Sequence, residues 1–174
     1  MKYLSLVSLA LAASAAVAAP PPAPTPSGPT LDRIKQTGKI VIAHRESSVP
    51  LSYVDANKKP VGYAVDLCLK VADAVKKKLN LPHLDVSYLM VTGSTRIPAI
   101  VDGKADLECG STTNNAERRE KVAFTVPHYI TGARYLVRAD SGITDLAGFE
   151  NKTLVSTKGT TPLKAIDQAN KDQL

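Results

Sequence analysis

Short β-rich runs alternating with helical stretches predict an α/β fold, a parallel sheet joined by right-handed crossovers. Three observations carry this expectation. Apolar runs at residues 39–43, 84–91 and 105–109 have strand length, and helix-period segments separate them. From Leu31 onward the composition is that of an ordinary globular chain, and roughly 145 residues are enough for one domain. Side chains suited to anions follow each of the three runs, the place where ligands bind in parallel sheets.

In chain order, the first thirty residues read as address and spacer. Met1 and Lys2 precede an apolar, alanine-rich stretch too short for a comfortable membrane span, and Ala16-Val17-Ala18 gives a small-x-small cleavage pattern. A signal peptide over residues 1–18 is expected, and with it export to the periplasm. No cysteine stands at the cleavage site, so no lipid anchor is expected. Residues 19–30 are proline-rich and read as an extended linker.

Residues 31–37 predict a short helix ended by Gly38. Lys39-Ile40-Val41-Ile42-Ala43 predicts a buried strand. Residues 50–61 are a turn-rich excursion with a hairpin tip at 55–59. Val65, Leu69, Ala72, Val75 and Leu79 then share one face of a helix over 62–79. A strand at 84–91 and a short helix at 95–101 follow, with Pro98 tolerated in a first turn. Next come a strand at 105–109 and a helix at 114–121. Residues 122–126, 133–139 and 153–157 are further strand candidates, 146–149 a turn, and a last helix begins at Thr161.

The formal net charge of +6 becomes +5 without Lys2. Such a balance suits nucleic acid, an anionic surface or acidic small ligands. Aromatic residues make up 5% of the chain, tryptophan is absent, and no basic and aromatic residues interleave, which argues against nucleic acid. Lys76-Lys77-Lys78 is most simply a solvated helix face. His44, His83 and His128 lack metal-ligand spacing, and no cofactor or metal is expected. Cys68 and Cys109 form no redox or zinc motif. Export permits a disulfide, but Cys68 falls in a helical apolar pattern, so a small buried side chain is the preferred reading. Phosphate-binding glycine loops, dinucleotide fingerprints and hydrolase signatures are all absent, which favours binding over catalysis, with no catalytic residue assigned.

The candidate site residues come from the strand ends. Arg45 follows the first strand, Arg96 the second, and Ser111, Thr113 and Arg118 the third. In the string Glu108-Cys109-Gly110-Ser111-Thr112-Thr113-Asn114-Asn115, a strand end feeds a helix N-terminus, whose free N–H groups and positive end suit a carboxylate. Hydroxyls from Ser111 and Thr113 and a bidentate Arg118 would complete a small-anion cradle without a nucleophile. Lys158-Gly159-Thr160-Thr161 repeats the device after the run at 153–157. Glu108 reads equally as a partner that orients Arg96 or Arg118 and as a solvent-facing strand residue. Tyr53 is a candidate cleft wall, and Tyr63 is expected in the core.

Several of these strings resemble one family, the periplasmic solute-binding proteins of amino-acid ABC importers, and within it the glutamate/aspartate-binding branch. They are His44 through Pro50, Gly62-Tyr63, Lys76 through Asn80, Arg96-Ile97-Pro98, Glu108 through Asn115, Glu117-Arg118 and Gly159-Thr160-Thr161. The resemblance implies a type II clamshell of two α/β lobes, the first largely present and the second incomplete. It places a first lobe at 31–127, a hinge at 128–135 and the start of a second lobe at 136–174. It implies that Arg118, with Thr113 and Thr160, holds the ligand's α-carboxylate, that Ser111 meets the α-amino group, and that Arg45 and Arg96 face the side-chain carboxylate. The ligand would then be L-glutamate or L-aspartate, the partners the permease subunits of an ABC importer, and the protein a monomer. Two departures stand out. Gly93 occupies a position where the family carries a hydroxyl. Family members also continue further and complete the second lobe, so the chain reads as truncated. Two other readings use the same fold: an enzyme that dehydrates a cyclic carboxylic acid, and a ligand-sensing module with a membrane partner.

Overall fold

The computed structural model describes residues 28–172. The expected signal peptide and most of the proline-rich linker lie outside the described residues. Helix α1 (Pro29–Thr37) begins two residues before its expected start, because Pro29 at the first helical position has no N–H to leave unpaired. Gly38, at φ 65°, ends it by donating its N–H to the Ile34 carbonyl at 2.8 Å.

Strand β1 (Lys39–His44) is the centre of the main sheet. It pairs in parallel with β5 (Asp85–Met90) on one side and with β6 (Leu107–Cys109) on the other. The strand order β5–β1–β6 means that the chain crosses one face to reach β5 and returns over the other to reach β6. Helix α2 (Tyr63–Lys78) makes the first crossing and α3 (Arg96–Val101) the second. Ile34, Ile40, Ala72 and Leu84 pack together on the α1–α2 face, and Ala43, Val91, Ala99 and Ala105 on the α3 face. Burial on both faces is why β1 reads as an unbroken apolar run.

Asp106 ties this layer together. One carboxylate oxygen accepts the Val41 N–H at 2.8 Å, and the other pairs with Arg33 of α1. The turn-rich excursion folds as a small antiparallel sheet of β2 (Ser47–Ser48), β3 (Ser52–Val54) and β4 (Pro60–Val61). Its tip turns on the Asp55 carboxylate, which accepts the N–H groups of Asn57 and Lys59 at 2.9 and 2.8 Å. The carbonyls of Pro50 and Leu51 then accept the N–H groups of Tyr63 and Ala64, so the start of α2 is already satisfied. Gly62, at φ 122°, permits this approach, since a Cβ there would stand 2.6 Å from the Leu51 carbonyl oxygen.

Four expectations need correction. Cys68 and Cys109 are joined in a disulfide, with Cα atoms 6.3 Å apart. The side of α2 that carries Cys68 packs on the end of β6, and this brings the two sulfurs together. Residues 122–126, 133–139 and 153–157 form no strands. A strand exists through its ladder to another strand, and these apolar runs find none among the described residues; Val126, Leu136 and Val155, one from each, are 82%, 99% and 89% exposed. The helix expected over 114–121 is a single turn, α4 (Ala116–Arg119). Tyr63 is exposed rather than in the core, and its hydroxyl donates to the His128 carbonyl at 3.3 Å. Beyond residue 136 the described chain contributes a 3-10 turn (Ala147–Phe149) and α5 (Thr161–Asp172).

Candidate functional site

The strand order reverses between β1 and β6, and in such sheets the crevice beyond the carboxyl ends at that point is where ligands bind. Arg45 leaves the end of β1 there. Its backbone N–H donates to the Ser52 hydroxyl at 2.9 Å, so the small sheet fixes its position. Arg96 opens α3 and is only 2% exposed, yet its Nε and Nη1 have no hydrogen-bond partner. Burial is the main reason its guanidinium is pushed down to about 10, with Arg118 and Arg45 lowering it further and Glu108 opposing them. At that value Arg96 keeps its charge at neutral pH.

Glu108, on β6, is the acidic member of the group. Burial raises its carboxyl above the ordinary value, and the Thr112 hydroxyl, Arg96, Arg45 and Arg118 pull it back in that order. Glu108 Oε1 and Thr112 Oγ1 are both buried with no formed hydrogen bond. The carboxylate folds back over Gly110, where a Cβ would stand 2.6 Å from Glu108 Oε1 and 3.1 Å from Arg45 Cγ. Glu108 is thus mostly buried near the arginines, with Oε1 unbonded and no ion pair to any of them.

Arg118 sits in α4, a single turn whose N-cap is the Asn115 side chain, accepting the Arg118 N–H at 3.0 Å. One turn has too few aligned peptides for an appreciable dipole, so positive charge here comes from guanidinium groups instead of a helix end. Arg118 Nη1 donates to the Thr113 carbonyl at 2.8 Å and Nη2 to the Gly159 carbonyl at 3.4 Å. It therefore bridges the loop after β6 and the loop before α5. Thr160 caps α5: its hydroxyl donates to the Thr157 carbonyl at 2.7 Å and accepts from the Leu163 N–H at 3.5 Å. The Lys164–Glu117 ion pair at 2.6 Å spans the same gap. Gly93 and Gly159 meet backbone to backbone: a Cβ on Gly93 would stand 2.5 Å from the Lys158 carbonyl oxygen.

A cleft of about 490 Å³ opens beside these groups, within the range of small-molecule sites. Glu108, Gly110, Ser111, Thr112 and Thr113 line one wall, and the chain from Val122 to Thr131 lines much of the rest. Arg45, Arg96, Arg118 and Thr160 do not line it. Of the six residues expected from the sequence, Arg45, Arg96 and Arg118 gather around Glu108, Ser111 and Thr113 face the cleft, and Thr160 stands across the Gly93–Gly159 contact. Tyr53 lies off the cleft. Thr112 is the lining residue that sequence reasoning left unassigned, and Glu108, an acidic side chain on an otherwise apolar strand end, carried two open readings there. Among the described residues, no cluster of His, Cys, Asp and Glu could hold a metal ion.

Residues 40–173 match the family described as bacterial extracellular solute-binding proteins, family 3. The chain is 46% identical over 145 residues to the L-glutamate/L-aspartate-binding protein of Pseudomonas aeruginosa, covering 83% of this chain and 48% of that protein. It is 44% identical over 147 residues to the glutamate/aspartate import solute-binding protein of Escherichia coli, covering 84% and 49% respectively. The chain thus spans about half the length of these relatives. Among solved structures, it is similar to the cysteine-binding protein of Campylobacter jejuni, with a TM-score of 0.67, 28% identity and coverage of 80% of this chain and 54% of that one. A solute receptor for L-cysteine from Neisseria gonorrhoeae gives a TM-score of 0.64 at 28% identity, with coverage of 77% and 53%.

Proposed function

The chain belongs to the bacterial extracellular solute-binding proteins of family 3, and on that premise we propose that it captures glutamate or aspartate in the periplasm and delivers it to the permease subunits of an ABC importer, without chemical change. One observation carries the reading: three guanidinium groups converge at the carboxyl ends of β1 and β6, and the most buried, Arg96, has two N–H groups without partners. Orphaned buried donors of this kind are costly, and a carboxylate is the group that satisfies a guanidinium fork in pairs. A neutral side chain in the same place would leave buried charge unmatched. The names of the two bacterial relatives above point to the same ligands.

In this reading Arg45 and Arg96 take the side-chain carboxylate. Arg118, released from a backbone carbonyl, takes the α-carboxylate with Thr113 and Thr160, and Ser111 takes the α-amino group. Residues 31–127 act as one lobe, 128–135 as the hinge and 136–174 as part of the second lobe, which approaches the first through the Gly93–Gly159 contact. The signal peptide over residues 1–18 directs the chain to the periplasm, where it acts as a monomer.

Isothermal titration of L-glutamate and L-aspartate into the chain freed of residues 1–18, with circular dichroism to establish folding, tests the reading. Saturable binding that Arg118→Ala abolishes supports it. A folded sample that binds neither acid overturns it for this chain.

A further inference from the structure

Helix α2 is joined to both walls of the cleft. On one side, Cys68 of α2 is bonded to Cys109, the last residue of β6, and the cleft wall from Gly110 to Thr113 leaves the strand immediately afterwards. On the other, the Tyr63 hydroxyl at the start of α2 donates to the His128 carbonyl at 3.3 Å. The Tyr63 ring lies 5.7 Å from that of His128 and 6.5 Å from that of Tyr129, and both of these residues line the cleft. The first wall has little else to hold it. Strand β6 is three residues long and pairs only with β1, at the edge of the main sheet. Residues 110–114 make no backbone-to-backbone hydrogen bond among the described residues. Two exposed side-chain bonds reach them, from Arg118 to the Thr113 carbonyl and from Arg119 to the Asn114 side chain.

We propose that the Cys68–Cys109 disulfide positions this wall for the ligand, so that the redox state of the two cysteines and the affinity for the acidic amino acid are linked. This deepens the binding reading above and rests on it. With the bond closed, the end of β6 is fixed to a 16-residue helix that packs on it. With the bond open, the ordering of Gly110 to Thr113 has to be supplied when the ligand binds, and that cost is subtracted from the affinity. Linkage makes the effect reciprocal: a ligand that prefers the closed bond also protects it. Cys109 is 2% exposed whereas Cys68 is half-buried, so an attacking thiolate reaches the Cys68 sulfur. A small dithiol forms a mixed disulfide there and releases the Cys109 thiolate, which takes up a proton. Its second thiol then displaces Cys68, and the dithiol leaves as a cyclic disulfide. The cysteines gain the two electrons and two protons that the dithiol loses.

The test uses L-glutamate and the chain freed of residues 1–18. Its Kd is measured by titration calorimetry for the disulfide form and for Cys68→Ala/Cys109→Ala, with circular dichroism to establish that both are folded. The variant should bind about tenfold more weakly, the cost of ordering roughly one residue's backbone on binding. Equal affinity overturns the proposal. A second arm needs no variant and decides should the first fail to fold. The native chain is equilibrated with graded ratios of reduced and oxidised dithiothreitol, with and without saturating glutamate, and free thiols are read by alkylation. Glutamate should shift the midpoint by about 30 mV in favour of the disulfide, the same tenfold at two electrons. Sucrose, at a concentration that raises the melting temperature as much as glutamate does, controls for stability alone. Equal protection by sucrose and glutamate would show a merely structural bond and overturn the proposal, as would no shift with glutamate. A native disulfide form that binds no glutamate sinks the binding reading itself, and this inference with it. A native form that binds, with either arm unmoved, sinks only the role of the disulfide.

Discussion

Arg96 combines near-complete burial with two unpartnered N–H groups, so under the proposed function it is a position where stability and binding oppose each other. Arg96→Met removes a buried charge and keeps the volume. It should raise unfolding stability by about 1–2 kcal/mol in urea titration while removing glutamate binding. Glu108 gives a second residue-scale expectation, in pH. Its folded-state titration lies above the ordinary value of 4.5, so the native state binds the proton more tightly than the unfolded chain. Its contribution to stability is complete below pH 4.5 and is lost as pH rises through the raised folded value. Melting temperatures of the native chain from pH 4 upward should therefore fall relative to those of Glu108→Gln, and parallel curves would refute the assignment. The arginines were legible as residues because each follows an apolar run. The burial of Glu108 was not legible, because which face of a three-residue strand turns inward depends on the neighbouring strand and on the glycine beside it.

At the scale of elements, helices and the central strand were readable, because periodicity is a local property. The face of α2 at 3.6-residue spacing and the unbroken apolar run of β1 both folded as expected. The runs at 122–126, 133–139 and 153–157 also carry apolar residues and formed no strand, because pairing is a property of two segments. The disulfide was missed for the same reason: it depends on how α2 lies on β6, and neither element's own sequence records that. The contact between the loops at 93–94 and 158–160 is also a relation between elements, and it makes a prediction. A side chain at 93 must push against backbone, not a flexible tip, so the loops must part. Gly93→Ser should weaken the Arg118–Gly159 hydrogen bond and speed amide hydrogen exchange across residues 158–164, leaving β1 and β5 unchanged. Uniform acceleration over the whole chain would instead mean general destabilisation.

At the largest scale, the described residues form a well-built α/β unit, with a doubly covered strand at its centre, followed by a stretch with few buried side chains. Ile34, Ile40, Ile42 and Val65 anchor the first part, whereas α5 buries none of its residues fully. The Cys68–Cys109 bond adds a covalent tie across that first part and closes a loop over 41 residues of sequence. Replacing both cysteines by alanine should cost about 2–5 kcal/mol in denaturant unfolding. That loop encloses most of α2, all of β5 and α3, and the exposed turn at Gly103 and Lys104. A protease that cuts after Lys104 thus severs the backbone without separating the pieces, and they part on a gel only after reduction. In a compartment rich in proteases, such a nicked molecule keeps its two halves at high effective concentration and can re-form the sheet without having to find its other half by diffusion.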